Sequence, residues 1–170
     1  MIKEQLTTLY QSPVGPIHIK VSDDHLTELL YAQRQHFSDD DIETLSARQK
    51  KVLKECTRQL DEYFSGKRKV FDLPLNQSGT DFQKKVWNEL MNIPYGKTIS
   101  YLELAQRLGD VKSIRAAASA NGKNNLPIIV PCHRVIGSNG SLVGYGGGLP
   151  IKKWLLEHEN KFANGVSLLF

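Results

Sequence analysis

The chain has no apolar run long enough to cross a bilayer as a helix and no basic-then-apolar leader, so membrane insertion and secretion are both disfavoured. Cysteine is scarce. With only Cys56 and Cys132 there is no disulfide framework to read, and a reduced, cytoplasmic setting is the simpler expectation. Metal ligands are scattered in the first half, where Cys56 stands with His18, His25 and His36 in no paired spacing, so no metal site is expected. Acidic residues thin out towards the C-terminus. Residues 1–80 carry 11 Lys and Arg against 12 Asp and Glu, whereas residues 81–170 carry 11 against 6. The balance moves from −1 to +5, which fits a phosphate-facing surface on the second half.

What is present is enough for two small subdomains in 170 residues. Short apolar or alternating runs, Leu6–Tyr10, Ile17–Val21 and Leu26–Tyr31, are separated by Ser12-Pro13-Val14-Gly15-Pro16 and Ser22-Asp23-Asp24. They predict three strands of an antiparallel meander. After the acidic patch Asp39–Asp41 a helix is expected to run to Phe64 and end at Gly66. Its Leu53, Cys56, Leu60 and Phe64 recur at helical spacing, so Cys56 should face the core and do no chemistry. A connection through residues 67–79 then leads to the second part. The predicted domains are therefore 1–79 and 80–170.

The second part is mostly helical in prospect. Thr80 with Gln83 makes a capping box, opening a helix with the apolar face Phe82, Val86, Trp87, Leu90 and Met91 that stops at Ile93-Pro94-Tyr95-Gly96. Ser100 with Glu103 makes a second box, for a helix ending at Gly109. Ser113 is placed to cap a third, Ile114–Ala120, stopped by Asn121-Gly122. Two short helices joined by a tight turn suggest helix-turn-helix. The later of the two carries Arg115 among Ala116, Ala117, Ala118 and Ala120, and small side chains of this kind allow either close core packing or close approach to a narrow partner.

Residues 126–130, Leu-Pro-Ile-Ile-Val, form a short apolar run bounded by proline and read as a buried strand. Cys132 follows Pro131 and precedes His133, an imidazole able to take a proton at neutral pH. On an extended strand the two side chains would point to opposite faces, so a bend or a bridging water is needed to couple them. Six glycines between Gly137 and Gly148 surround Tyr145 in a loop that either flexes freely or wraps a flat ligand. A last helix begins near Pro150 with the stripe Ile151, Trp154, Leu155, His158, Glu159 and Phe162. Glu159 thus falls on the inward face, where a carboxylate needs a partner.

The tetrapeptide Pro131-Cys132-His133-Arg134 with Val135, supported in order by Phe82–Gly96, Thr98–Tyr101, Arg115, Asn124, Gly147-Gly148 and Trp154–Glu159, resembles the O6-alkylguanine-DNA alkyltransferases, the methylated-DNA–protein-cysteine methyltransferases. The resemblance implies an α+β protein: a small antiparallel sheet with a helix first, then a mostly helical domain holding a helix-turn-helix and a buried active-site strand or loop. It implies that Cys132 accepts an alkyl group from O6-alkylguanine in double-stranded DNA, irreversibly and once per molecule. It further implies that His133, a water and Glu159 move the thiol proton, and that Tyr101 donates to the departing purine. Arg115 is implied as the finger that fills the place of the rotated-out nucleotide, with Ser113 and Ala116 at the DNA surface beside it. Carbonyls of Cys132 and Val135 would accept from the exocyclic amine, Asn124 would brace the turn before the acceptor segment, and the loop of Tyr145 and Gly146 would enclose the base. No cofactor is implied, and a monomer is expected.

Two positions depart from the family pattern. Gly146 stands where many relatives have Ser or Ala, which leaves only backbone N–H to contact O6, and Asn125 stands where some have Pro. A rival reading is a lesion sensor that flips alkylated guanine without removing the group. Sensors of that type lack the acceptor cysteine. A thiol hydrolase is a further alternative, which turnover would reveal.

Overall fold

In the computed structural model the chain is described over residues 6–32 and 44–165, so the patch Asp39–Asp41 and His36 lie outside the described residues. It divides into two compact units, Met1–Ser78 and Gly79–Phe170.

The first unit opens with three antiparallel strands in the order β1-β2-β3: β1 (Leu6–Ser12), β2 (Gly15–Ser22) and β3 (His25–Tyr31). The register pairs Tyr10 with Ile17 and Ile17 with Tyr31, with a bulge between Lys20 and Val21. Ile17, Ile19 and Val21 alternate along β2 and are buried, the period-2 pattern of a half-covered sheet. Helix α1 (Ala47–Phe64) packs on β2 and β3. It starts at a capping box, Ser46 with Gln49, and ends where Gly66 takes φ +79°. Its buried residues are Val52, Cys56, Gln59, Leu60 and Tyr63, so the inward face is turned by about one residue from the expected stripe and Leu53 and Phe64 lie half-exposed. Cys56 is fully buried, and burial pushes its thiol up to about 12. The connection is pinned rather than loose: Gln59 exchanges two hydrogen bonds with the Asp72 backbone, and Leu26 exchanges two with Pro74 and Asn76.

The second unit contains α2 (Asp81–Leu90), α3 (Tyr101–Arg107), α4 (Ile114–Gly122) and α5 (Leu149–Asn164), with a two-stranded parallel ladder of β4 (Ile99–Ser100) on β5 (Val135–Ile136). Thr80 and Gln83 form the capping box of α2. Gly79 lies so close to this helix that a Cβ would stand 2.5 Å from the Trp87 ring. Trp87 in turn donates from its indole N–H to the Ala120 carbonyl at 2.9 Å, tying α2 to α4. Val86, Trp87 and Leu90 are buried while Phe82 and Met91 reach solvent.

Several local expectations change. Ser100 caps α3 through the Glu103 N–H, but the Glu103 carboxylate pairs with Arg107 at 2.8 Å instead of turning back, so the second box is only half formed. Ser113 makes no cap on α4, because its hydroxyl donates to the Asp110 carbonyl at 2.6 Å inside a 3-10 turn, Val111–Ser113, that Asp110 caps. Asn121 and Gly122 belong to α4 and do not stop it. Residues 126–130 are buried but are turns, not a strand. Asn124 holds them in a coil: its amide N–H donates to the Val130 carbonyl at 2.8 Å and its Oδ1 accepts from the Leu126 N–H at 3.0 Å. Ile128 is forced to φ +75°, a costly conformation for a β-branched residue. The strand begins only at Val135, beyond the cysteine.

Candidate active site

Cys132 opens a one-turn 3-10 helix, Cys132–Arg134, after Pro131 at φ −82° and ψ 63°. The turn replaces the extended geometry expected there, so the reason for placing Cys132 and His133 on opposite faces no longer applies. The thiol is 6% exposed, and burial pushes its pKa up, opposed by Asn124 and by the charge of Lys152. At rest it is a thiol.

His133 is fully buried and shares a 2.7 Å hydrogen bond, Nε2 to Oε1, with Glu159, 26 residues further along the chain on α5. Glu159 also takes two hydrogen bonds from the Arg134 guanidinium, Nε to Oε2 at 2.8 Å and Nη2 to Oε1 at 2.9 Å. The remaining donor group of Arg134, Nη1, reaches the Ile93 carbonyl at 2.7 Å. Burial alone would raise the Glu159 pKa, yet His133 and Arg134 hold the carboxyl well below the usual range. An ionised carboxylate only accepts, so the Nε2 of His133 carries the proton and donates it. Burial holds the His133 pKa down despite Glu159. The ring is then neutral, the positive charge opposite Glu159 is that of Arg134, and the buried, unpartnered Nδ1 is a bare acceptor on the side away from the carboxylate.

Lys152 closes the other flank. Its side chain is buried and its ammonium donates to the carbonyls of Val135 at 2.7 Å, Val143 at 3.0 Å and Gly144 at 3.3 Å. Burial brings its pKa down to about 8. It thereby fastens the glycine-rich loop to the segment just after the cysteine. Tyr101, the first residue of α3, donates its hydroxyl to the Val143 carbonyl at 3.1 Å, and burial raises its pKa, an effect that a thiolate at Cys132 adds to. Asn121, on α4, donates from Nδ2 to the Cys132 carbonyl at 3.4 Å.

Cys132, His133, Glu159, Tyr101, Asn124 and Val135 thus converge through hydrogen bonds and charge. Tyr145 is half-buried and Gly146 exposed in the loop beside them, with open space where a Cβ on Gly146 would be. Arg115 and Ala116 are exposed on α4, while Ala117 and Ala120 pack inward, so the small residues serve both packing and surface. Reading the sequence missed the parts of Arg134, Lys152 and Asn121. For Lys152 a signal existed: Lys152, Leu155, Leu156 and Glu159 lie on one face of α5, at offsets of 3, 4 and 7, and all are buried. Phe162, by contrast, is exposed. Among the described residues no three His, Cys, Asp or Glu side chains gather as a metal cluster, and no helix is long and apolar enough to cross a membrane.

Comparison with known proteins decides the family. Residues 81–161 match the 6-O-methylguanine DNA methyltransferase DNA binding domain, and residues 6–77 match the ribonuclease-like domain of the same proteins. The chain belongs to the 6-O-methylguanine DNA methyltransferase family. It is 46% identical over 154 residues to the methylated-DNA–protein-cysteine methyltransferase of Methanosarcina barkeri, covering 89% of this chain and 94% of that one. It is 43% identical to the constitutive enzyme of Bacillus subtilis, covering 89% and 93%. The crystal structure of the O6-methylguanine methyltransferase of Mycobacterium tuberculosis superposes with a TM-score of 0.82 at 38% identity, covering 96% and 97% of the two chains. The α+β architecture of the family, a three-stranded antiparallel sheet with a helix followed by a helical domain, is that of this chain.

The electrostatics make a pH prediction. His133 and Glu159 are both held below their ordinary values of 6.5 and 4.5, so each contributes stability that is complete above that value and is lost as pH falls through the lowered one. Unfolding of the second unit should therefore become easier from about pH 6.5 downwards, first through His133 and then through Glu159. Urea unfolding of the parent and Glu159→Gln at pH 7, 5 and 3 checks this: their stabilities should converge as pH drops. A gap that stays constant or widens contradicts the assignment of Glu159 as ionised.

Proposed function

We propose that this protein repairs DNA by transferring a methyl or other alkyl group from O6-alkylguanine to its own Cys132. The observation that carries the reading is a buried thiol on a turn whose next two residues are locked onto one buried carboxylate. Cys132 is a free thiol and not half of a disulfide. Nor is an acyl-transfer oxyanion site needed, since displacement at an alkyl carbon asks only for a thiolate in line with that carbon and a stabilised leaving group.

In this reading the lesion is rotated out of the duplex from the minor-groove side, because its O6-alkyl carbon cannot be reached inside the stack. Arg115 takes the vacated place, with Ser113 and Ala116 against the backbone beside it. The loop of Tyr145 and Gly146 covers the base, and the carbonyls of Cys132 and Val135 receive its exocyclic amine. Val135 would then exchange its lysine donor for the guanine amine. His133 takes the thiol proton, through a water, on its Nδ1 side, while Glu159, held in place by Arg134, stabilises the resulting imidazolium. Tyr101 donates to the purine as the carbon–oxygen bond breaks. Residues 80–170 form the DNA-binding and alkyl-accepting domain, and residues 1–79 the smaller α/β domain with its connection. The thioether is stable, so each molecule acts once, as a monomer, with no cofactor, in a reduced cytoplasmic setting where the thiol stays free. The relative from Mycobacterium tuberculosis has been crystallised in complex with DNA, at a TM-score of 0.80 and 41% identity, and the charge balance of +5 on residues 81–170 suits the same partner here.

Incubation with a duplex oligonucleotide carrying one O6-benzylguanine tests the proposal. One benzyl group should appear permanently on the peptide containing Cys132, with one equivalent of DNA repaired per protein. Binding without a mass change would instead mean a lesion sensor, and continued turnover a hydrolase. Arg115→Ala should slow the duplex reaction by about two orders of magnitude, the scale of a few kcal/mol of unstacking. Its effect on free O6-benzylguanine should be far smaller, and equal slowing of both substrates would remove Arg115 from the flipping step.

A further inference from the structure

The site holds a buried cation with no counter-ion. Lys152 is 0% exposed near the N-terminal end of α5, the end of a helix that disfavours positive charge, and no carboxylate pairs with it among the described residues. Burying an ammonium is expensive, and an apolar side chain of the same length would fill the space without that penalty. Its retention therefore calls for a reason. All three of its N–H groups are engaged, on the carbonyls of Val135 at 2.7 Å, Val143 at 3.0 Å and Gly144 at 3.3 Å. Two of these acceptors fasten the loop. The third and shortest bond goes to Val135, the carbonyl that receives the exocyclic amine of guanine in the reading above. The ammonium also stands over the Tyr101 ring, 5.9 Å from its centroid, so it borders the place where the purine has to lie. At the companion carbonyl, that of Cys132, the resting donor is Asn121 Nδ2 at a longer 3.4 Å.

A site that reads a substrate N–H with a buried carbonyl rejects an analogue lacking that N–H, because the carbonyl is then left without a donor. Val135 escapes this, since Lys152 supplies a donor from the protein itself. We propose that Lys152 is a specificity-determining residue: it yields the Val135 carbonyl to the amine of O6-alkylguanine and keeps it when the base has none, so that O6-alkylhypoxanthine is accepted as well. The transfer is the same for both purines. The Cys132 sulfur bonds to the alkyl carbon, the bond from that carbon to O6 breaks with its electron pair entering the purine, and the purine gains one proton as the thiol loses one.

The inference rests on the reading of Val135 as an acceptor for the base, and the test separates the two. Single-turnover transfer is measured from two duplexes that differ only in carrying O6-methylguanine or O6-methylhypoxanthine opposite cytosine. In the parent the two rates should lie within about tenfold of each other, and in Lys152→Met the hypoxanthine duplex should fall at least about tenfold further behind, equivalent to about 1.4 kcal/mol. Differences in base pairing and extrusion cancel in that comparison. So does any effect of the lysine charge on the thiol or of its three bonds on the loop, since these act on both duplexes alike. Lys152→Gln, which keeps an N–H donor without the charge, should stay closer to the parent ratio than Lys152→Met does. An unchanged ratio in Lys152→Met overturns the inference, even where both rates drop, and if that ratio is also near unity the reading of Val135 falls with it. A parent more than about a hundredfold slower on hypoxanthine overturns the inference too, and needs no variant to fold. Absence of transfer from either duplex in the parent overturns the proposed alkyl transfer itself.

Discussion

Cys132→Ser should bind alkylated duplex DNA and leave the alkyl group in place, with the single-turnover rate down by about 10⁴-fold or more, the scale on which loss of a nucleophile acts in related triads. The geometry explains why serine is no substitute. The Cys132 thiol already sits in a site that disfavours its anion, since burial raises its pKa, and a hydroxyl starts several units higher still. The help available at this position is a neutral imidazole and the charge of Lys152, enough for a thiol at the moment a substrate arrives but far short of what an alkoxide needs. Chromatography of the digested oligonucleotide measures the adduct remaining. Removal by Cys132→Ser at the parent rate would show that another group accepts the alkyl carbon.

Arg134→Met should be the most damaging single change to the fold of the second unit that leaves the nucleophile in place. Arg134 makes both hydrogen bonds of a fork onto Glu159 and a third to Ile93, all buried. Without it the carboxylate loses both bonds of the fork in the interior, where His133 and a weak contact from the Gly96 N–H at 3.4 Å still reach it. Removing one partner of such a pair costs about 3–5 kcal/mol, against a total of about 5–15 kcal/mol for a typical domain. Both tryptophans, Trp87 and Trp154, lie in residues 79–170, so urea unfolding followed by tryptophan fluorescence reports this unit alone. The double variant Arg134→Met/Glu159→Leu should recover part of the loss, because no charge remains stranded. It should stay below the parent, since His133 Nε2 then loses its acceptor. If Arg134→Met unfolds within 1 kcal/mol of the parent, the ion pair is not what holds α5 to the acceptor turn.

These two variants separate what the pattern of residues conveyed from what it concealed. The strands β1 to β3 were legible because turn residues punctuate alternating apolar runs, and α2 because Thr80 and Gln83 form a complete box. The site was legible wherever identity alone carries chemistry: a cysteine between proline and histidine, and a glutamate eight residues past Ile151 on the stripe of the last helix. Where local preference and packing compete, local reading failed. Leu126–Val130 has the composition of a strand, but Asn124 and the left-handed Ile128 bend it into turns.

Sequence by itself determined the family resemblance, the candidate nucleophile with its neighbouring histidine, and the order of elements, because these rest on residue type and short spacing. Only the tertiary structure decided which charges meet. That Arg134 and not His133 supplies the positive charge to Glu159, that Lys152 is buried and clasps three carbonyls, and that Asn121 donates to the Cys132 carbonyl all depend on α4, α5 and the acceptor turn meeting around one small buried volume. Desolvation there pushes each group towards its neutral form, the charges of His133 and Arg134 overrule it at Glu159, and both the burial and the meeting of charges are properties of the packed chain rather than of any stretch of it.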